Sequence, residues 1–300
     1  MAEIEYKKFL EPSFISRLSS LEIKAKKVVE GFMVGLHKSP YHGFSVEFSQ
    51  HRPYMQGDSI KNIDWKLFGK TEKFYIKQFE EETNLSAYVL LDVSKSMDYK
   101  YSSEITKFEY ANTLAASLIY LLNKQRDSAG LVLYSDKIET YLEPKAAKTY
   151  LKVLFSALVN QKLSGKTNTG ECLNKVAEKI KKRGMIIIIS DFFDNPESVI
   201  NALKHFHYKK NDVIVFQLLD RIESTFDFGR DAIFIDKETG EEITTQSSQI
   251  QKSYINSFTN FTNTLKLECL KYGIDYNLIY TDMTYDKALQ SFFIKRSRLN

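Results

Sequence analysis

Apolar residues recur at helical spacing over residues 11–36, with Phe14, Ile15, Leu18, Leu21, Ile23, Val28, Val29, Phe32 and Met33 on one stripe. Gly35, Pro40 and Gly43 end the pattern. A loop-rich stretch, dense in polar and aromatic residues, follows over 41–73. Residues 74–79 alternate as a strand, and the acidic run Glu80, Glu81, Glu82 leads to Asn84.

From there the period switches between two and 3.6. Residues 88–91 form an apolar run that ends at Asp92, and 185–189 form a second that ends at Ser190 and Asp191. Further strands are predicted at 129–134, 212–219 and 275–280. Helices are predicted at 108–122, 146–159, 171–180, 197–206, 250–272 and 285–293. Strands apolar on both faces, alternating with helices, imply an α/β fold: a doubly wound, mostly parallel sheet flanked by helices. Residues 232–235 and 242–245 flank the turn Lys237 to Gly240 and read as a small β-hairpin inserted at about 222–248. The expected organisation is an N-terminal helix and loop-rich segment over 1–82, packed on a main domain over 83–300.

Composition narrows the function classes. The chain has 300 residues, 43% of them hydrophobic, enough for a sizeable core. With 42 basic and 38 acidic residues the net charge is +4, which gives no electrostatic case for nucleic acid. The N-terminal stretch lacks the apolar segment of a secretion signal, and the longest aliphatic run, 185–189, is far too short to span a bilayer. Two distant cysteines, Cys172 and Cys269, read as buried thiols rather than a disulfide. The expectation is a cytoplasmic protein with no membrane span.

In open α/β sheets, ligands bind beyond the carboxyl ends of the strands. After the first buried strand comes Asp92, Ser94 and Ser96; after the second comes Asp191. A loop between them, flanked by Gly165 and Gly170, carries Thr167 and opens a helix. These groups are all hard oxygens, which suits Mg2+, with Mn2+ or Ca2+ as alternatives, and argues against zinc. Only two are charged, so an ion held there would favour a carboxylate from another molecule. Each piece alone also fits ordinary turn and helix-capping chemistry.

Two enzyme readings compete. A haloacid dehalogenase-type phosphatase needs a carboxylate two residues after the first aspartate, where this chain has Ser94. A P-loop around Gly165, Lys166 and Thr167 needs a glycine where Asn160 stands. A metal-dependent hydrolase using Asp92 and Asp191 stays open as the alternative, as does a scaffold whose site is vestigial.

Asp92-x-Ser94-x-Ser96-Met97 resembles the first motif of the metal-ion-dependent adhesion site (MIDAS) in von Willebrand factor A domains, a Rossmann-like fold. Thr167 and Asp191 match its second and third motifs. Upstream, Arg52, Tyr54, Gly57 and Asp58, followed by Ile63, Asp64, Trp65 and Lys66, resemble the signature of the bacterial "domain of unknown function 58" family. Glu80 to Glu82, the hairpin, Tyr254, Gly273 to Tyr276 and Thr281 to Asp282 fit the same family, so the resemblance covers nearly the whole chain. It implies a non-enzymatic protein-binding module that works with a MoxR-type AAA+ ATPase, engaging a carboxylate on that partner or on a client. Many family members carry membrane helices before the signature; this chain has an amphipathic helix there. The signature residues are expected to pair among themselves and hold the N-terminal segment on the main domain, with Trp65 packed on the sheet. A contact surface for the ATPase is the alternative.

Overall fold

Six strands form the central sheet of the computed structural model, which describes residues 10–38, 51–54, 63, 65–77, 85–165, 168–229, 231–235 and 242–297. In chain order the elements are α1 (Pro12–Ser16), α2 (Leu21–Lys38), β1 (His51–Pro53), α3 (Trp65–Thr71), β2 (Tyr75–Lys77) and β3 (Ser86–Asp92). Then come α4 (Lys107–Lys124), β4 (Ser128–Tyr134), β5 (Ile138–Lys145), α5 (Tyr150–Asn160), α6 (Thr169–Lys179), β6 (Met185–Ser190) and α7 (Pro196–Tyr208). Last are β7 (Asp212–Leu219), α8 (Arg221–Thr225), β8 (Asp231–Ile235), β9 (Glu242–Gln246), α9 (Ser247–Lys271), β10 (Asp275–Tyr280) and α10 (Tyr285–Ser297).

The strand order is β10-β7-β6-β3-β4-β5, parallel throughout except for the antiparallel edge strand β5. The chain runs outward from β3 through β4 and β5, then returns to place β6 on the other side of β3. The order therefore reverses between β3 and β6, where an open α/β sheet leaves a crevice at its carboxyl edge. In β3 and β6 nearly every residue is buried, because both faces are covered. Val89, Leu91, Ile187 and Ile189 face a core shared with α2, α4, α5 and α10. Tyr88, Leu90, Ile186 and Ile188 face a second core with α6, α7 and α9. The sheet is thus wound on both faces, as the alternating pattern predicts.

The N-terminal helix belongs to the first core: Ala25, Val28, Val29 and Phe32 are buried in it, and the Phe32 ring lies 5.1 Å from that of Phe293 in α10. Residues 11–36 form two helices rather than one. The Ser20 hydroxyl accepts the Ile23 N–H at 3.2 Å and starts α2 afresh.

Four elements escape the periodicity: β1 and α3, which lie in the stretch 41–73 read as loop-rich and are too short to show a period, and β5 and α8. Strand β5 is a half-exposed edge strand with Pro144 near its end, so its alternation is weak and the helix expected from 146 starts only at Tyr150. Gly130 makes room for it, because a Cβ there would sit 2.7 Å from the Leu142 carbonyl oxygen. Helix α8 is a single turn, too short to show a period.

Trp65 is a correction. It is 58% exposed and does not pack on the six-stranded sheet. Its ring meets Phe68 and Phe74 edge-on, at 6.1 and 6.5 Å, in a satellite cluster beside the small β1–β2 ribbon. The ribbon gives that indole a local apolar partner, so it needs no place in the main core. Tyr54 joins the cluster, its ring 6.3 Å from Phe74. Gly57, Asp58 and Asp64, with the side chains of Arg52 and Lys66, lie outside the described residues, so their expected mutual pairing is not described. Among the described residues, no helix is long and apolar enough to cross a membrane.

Candidate metal centre at the carboxyl edge of the sheet

Strands β3 and β6 are neighbours in register, Leu91 beside Ile189, so Asp92 and Ser190 leave the sheet side by side. Asp92 is 1% exposed. Its Oδ1 accepts the Ser94 N–H at 2.9 Å, and its Oδ2 accepts the Ser190 hydroxyl at 2.6 Å. The first contact is an Asx turn, which a strand ending in Asp makes with its own backbone. That turn carries Ser94, and a following 3-10 turn over Lys95–Met97 carries Ser96. The Ser94 and Ser96 hydroxyl oxygens stand 2.9 Å apart, the first buried and the second half-buried at the mouth of the crevice.

Asp191 is fully buried on the other side. The turn that aims it passes through Phe192, whose φ of 59° lies in the left-handed region. Such a conformation costs about 1 kcal/mol or more for a bulky residue. Burial of the ring and a 2.9 Å bond from Phe192 N–H to the Ser190 hydroxyl hold it. Asp191 Oδ1 accepts the Phe193 N–H at 3.1 Å, and Gln217 of β7 donates to the Asp191 carbonyl at 3.1 Å.

Thr167 lies outside the described residues. Among the described residues of this loop, Thr169, the first residue of α6, places its Oγ1 3.5 Å from Asp92 Oδ2. The loop is anchored over β3 by the Ser164 N–H, which donates to the Val93 carbonyl at 3.1 Å. Gly170 lets α6 start this close to α7, since a Cβ there would overlap Ser198 at 2.0 Å.

Two residues were missed by the sequence reading. Lys107, at the start of α4, is 1% exposed and donates to Asp191 Oδ2 at 2.8 Å and to Glu223 Oε1 of α8 at 2.7 Å. The rings of Phe193 and Tyr99 flank its ammonium at 5.0 and 5.6 Å. The legible signal was a pair of capping boxes, Thr106 with Glu109 and Asp220 with Glu223, which fix the starts of α4 and α8.

The electrostatics follow from burial. Removal from water, then the charge of Asp191, pushes the Asp92 carboxyl up to about 6, against hydrogen bonds from Ser190 and Ser94 that pull it down. Burial alone would lower the Lys107 ammonium, but Asp191 and Glu223 overcome this and hold it above its ordinary value. Burial raises Glu223 in spite of Lys107. With all groups ionised, three carboxylates and one ammonium leave a formal charge of −2 on this buried cluster.

The donor set fits a small divalent cation. The Ser94 and Ser96 hydroxyls share a hydrogen bond at 2.9 Å; neighbouring ligands on an octahedral ion with bonds of about 2.1 Å lie about 3 Å apart, so both oxygens would bind one ion in place of that bond with little movement. A divalent charge also offsets the −2 of the cluster. Among the described residues, no three of His, Cys, Asp and Glu gather to hold a metal by themselves, so hydroxyls would carry much of the coordination.

The family model described as "Protein of unknown function DUF58" matches residues 50–262. Uncharacterized proteins of Mycobacterium bovis and Mycobacterium tuberculosis are each 21% identical over 233 residues, covering 77% of this chain and 73% of theirs. Among solved structures, the chain is similar to a conserved hypothetical protein, BatB, from Bacteroides thetaiotaomicron, with 15% identity and a TM-score of 0.48 over 71% of this chain and 97% of that one. It is also similar to an aerotolerance-related membrane protein from Bacteroides fragilis, with 18% identity and a TM-score of 0.48 over 71% and 98% of the two chains.

Proposed function

The chain belongs to the DUF58 family, and from that premise we propose that it is a von Willebrand factor A-like, non-enzymatic module that binds a protein partner through a divalent cation. The observation that carries the reading is the gathering of hydroxyls around the buried Asp92 carboxylate at the carboxyl edge of the sheet: Ser94 and Ser96, hydrogen-bonded to each other at 2.9 Å, and Thr169, 3.5 Å from Asp92. Ser94, Ser96 and one threonine of the 165–170 loop would hold the ion directly, with Asp92 and Asp191 acting from behind, partly through water. Thr169 is a candidate by its 3.5 Å approach to Asp92, and Thr167 is a candidate on the motif resemblance. The ion would supply a Lewis-acidic position facing solvent at Ser96.

That position favours a hard, anionic oxygen. A carboxylate side chain on the partner or client is the matching group. The protein's own residues contribute rigidity rather than turnover: Asp92 is pinned at both oxygens, and Asp191 is pinned by a backbone N–H and by Lys107. Both carboxylates are thus held in fixed positions, as a preformed binding site requires. A MoxR-type AAA+ ATPase, in a chaperone-like or assembly role, is the partner we propose. A cytoplasmic setting is part of the same proposal and accords with two free, buried cysteines.

Calorimetric titration with Mg2+ and Mn2+ tests the metal, and a pull-down with and without chelator tests the partner. The reading expects binding by the wild type, its loss in Ser94→Ala, and ATPase capture only with metal. Metal-dependent phosphatase or ATPase turnover by this chain, abolished in Asp92→Ala, would replace the binding module with a hydrolase.

A further inference from the structure

Lys107 is the feature that a simple hydroxyl-and-aspartate site does not require. A buried ammonium carries a large desolvation cost, several kcal/mol even after relaxation, unless partners repay it. Here two carboxylates from two different elements close on it, Asp191 at the end of β6 and Glu223 on α8. The same α8 is tied to the loop before α4. Asp220 accepts the N–H groups of Tyr101 at 2.8 Å, of Ser102 at 3.0 Å and of Ile222 at 3.1 Å. The Lys107 N–H itself donates to the Tyr99 carbonyl at 2.9 Å. The ammonium therefore has little freedom to leave, and its charge sits permanently against one of the two aspartates of the candidate site.

We propose that Lys107 is a built-in counter-cation of the metal site: it keeps Asp191 in place when no ion is bound, and it weakens the affinity for a divalent ion, to a degree set by Glu223. The proposal rests on the metal-binding reading above. Without Lys107, Asp191 would be buried near Asp92 and Glu223 with nothing opposing their repulsion. With it, the pocket holds its shape at a formal −2, and an incoming ion must share Asp191 with the ammonium. Glu223 draws part of the lysine's charge away from the site. Removing the lysine and removing Glu223 should thus move metal affinity in opposite directions, which a purely structural ion pair would not do. Lys107 is in this sense a positioning and tuning residue, acting on the ion through Asp191.

The test uses the full-length chain, its Lys107→Met and Glu223→Gln variants, and Mg2+ alone as the probe, read by calorimetry and by melting temperature with and without chelator. Lys107→Met should melt roughly 5–10 °C lower in chelator, recover much of that loss in Mg2+, and bind Mg2+ about tenfold or more tighter. Glu223→Gln should bind Mg2+ several-fold more weakly. Equal Mg2+ affinity in wild type and both variants overturns the inference while leaving the metal site standing. If Lys107→Met does not fold, Glu223→Gln decides alone: an unchanged affinity refutes the tuning role, and a weakened one supports it. Absence of any Mg2+ response in all three proteins removes the metal reading itself, and this inference with it.

Discussion

Replacing Asp92 by Asn should make the ion-free protein more stable at neutral pH while abolishing metal binding. Asp92 is fully out of solvent and lies near a second buried carboxylate, so its charged form is held at a cost. The carboxyl is pushed from 3.8 to about 6, first by burial and then by Asp191. At about 1.36 kcal/mol per pH unit that gap corresponds to about 3 kcal/mol. A folded-state value raised above the unfolded one contributes stability that is fully present below about pH 3.8 and lost as pH rises through about 6. At pH 7.5 the wild type in chelator has lost this contribution; the Asp92→Asn variant never carries the charge. The asparagine can keep the geometry, since its oxygen accepts from Ser94 N–H and its amide donates to the Ser190 oxygen, which now turns its own hydrogen elsewhere. The measurement is thermal unfolding of both proteins in chelator at about pH 4 and pH 7.5. The expected result is equal stability within about 1 kcal/mol in acid and an advantage for the variant of up to about 3 kcal/mol, or ~5 °C, at pH 7.5. Wild type more stable than the variant at pH 7.5 in chelator would refute the reasoning, because the ionised Asp92 would then be a net stabiliser.

Other outcomes follow from the same geometry. Asp220→Ala removes the acceptor for three backbone N–H groups and should destabilise the chain by about 2–4 kcal/mol, with Asp220→Asn recovering part of the loss in urea unfolding. Trp65→Ala should change stability by less than about 1 kcal/mol, as expected for an exposed ring; if Trp65 serves the partner, ATPase capture in the pull-down falls instead. Burial pushes the Cys172 thiol up to about 11 and the Cys269 thiol up to about 12, so both should resist thiol reagents in the native state and react together on unfolding; fast labelling of either at pH 8 contradicts that packing.

Much of this arrangement is legible in the chain. The two apolar runs ending at Asp92 and at Ser190–Asp191 announce buried parallel strands, and both stand at the reversal of the strand order. Strands β7 and β10 begin and end where they are predicted, each opening on an aspartate and closing at a polar turn. The edge strand β5 and the one-turn α8 were not legible, since neither has enough buried positions to set a period. Within the site, Asp92, Ser94 and Ser96 could be read because an Asx turn after a strand fixes all three locally. The approach of Thr169 to Asp92 could not, because it depends on where α6 starts, a matter of tertiary packing. Lys107 was hidden for a different reason. A lysine at a helix start usually faces water, and its burial here depends on carboxylates 84 and 116 residues away.

The most direct test places an ion in crystals of the protein. After soaking in Mn2+, with data collected above its absorption edge, the account predicts one strong anomalous peak about 2.1 Å from both the Ser94 and Ser96 hydroxyl oxygens, absent from crystals of Ser94→Ala. Mn2+ bound only at surface carboxylates, with no anomalous density at Ser94 and Ser96 and their mutual hydrogen bond intact, would contradict it.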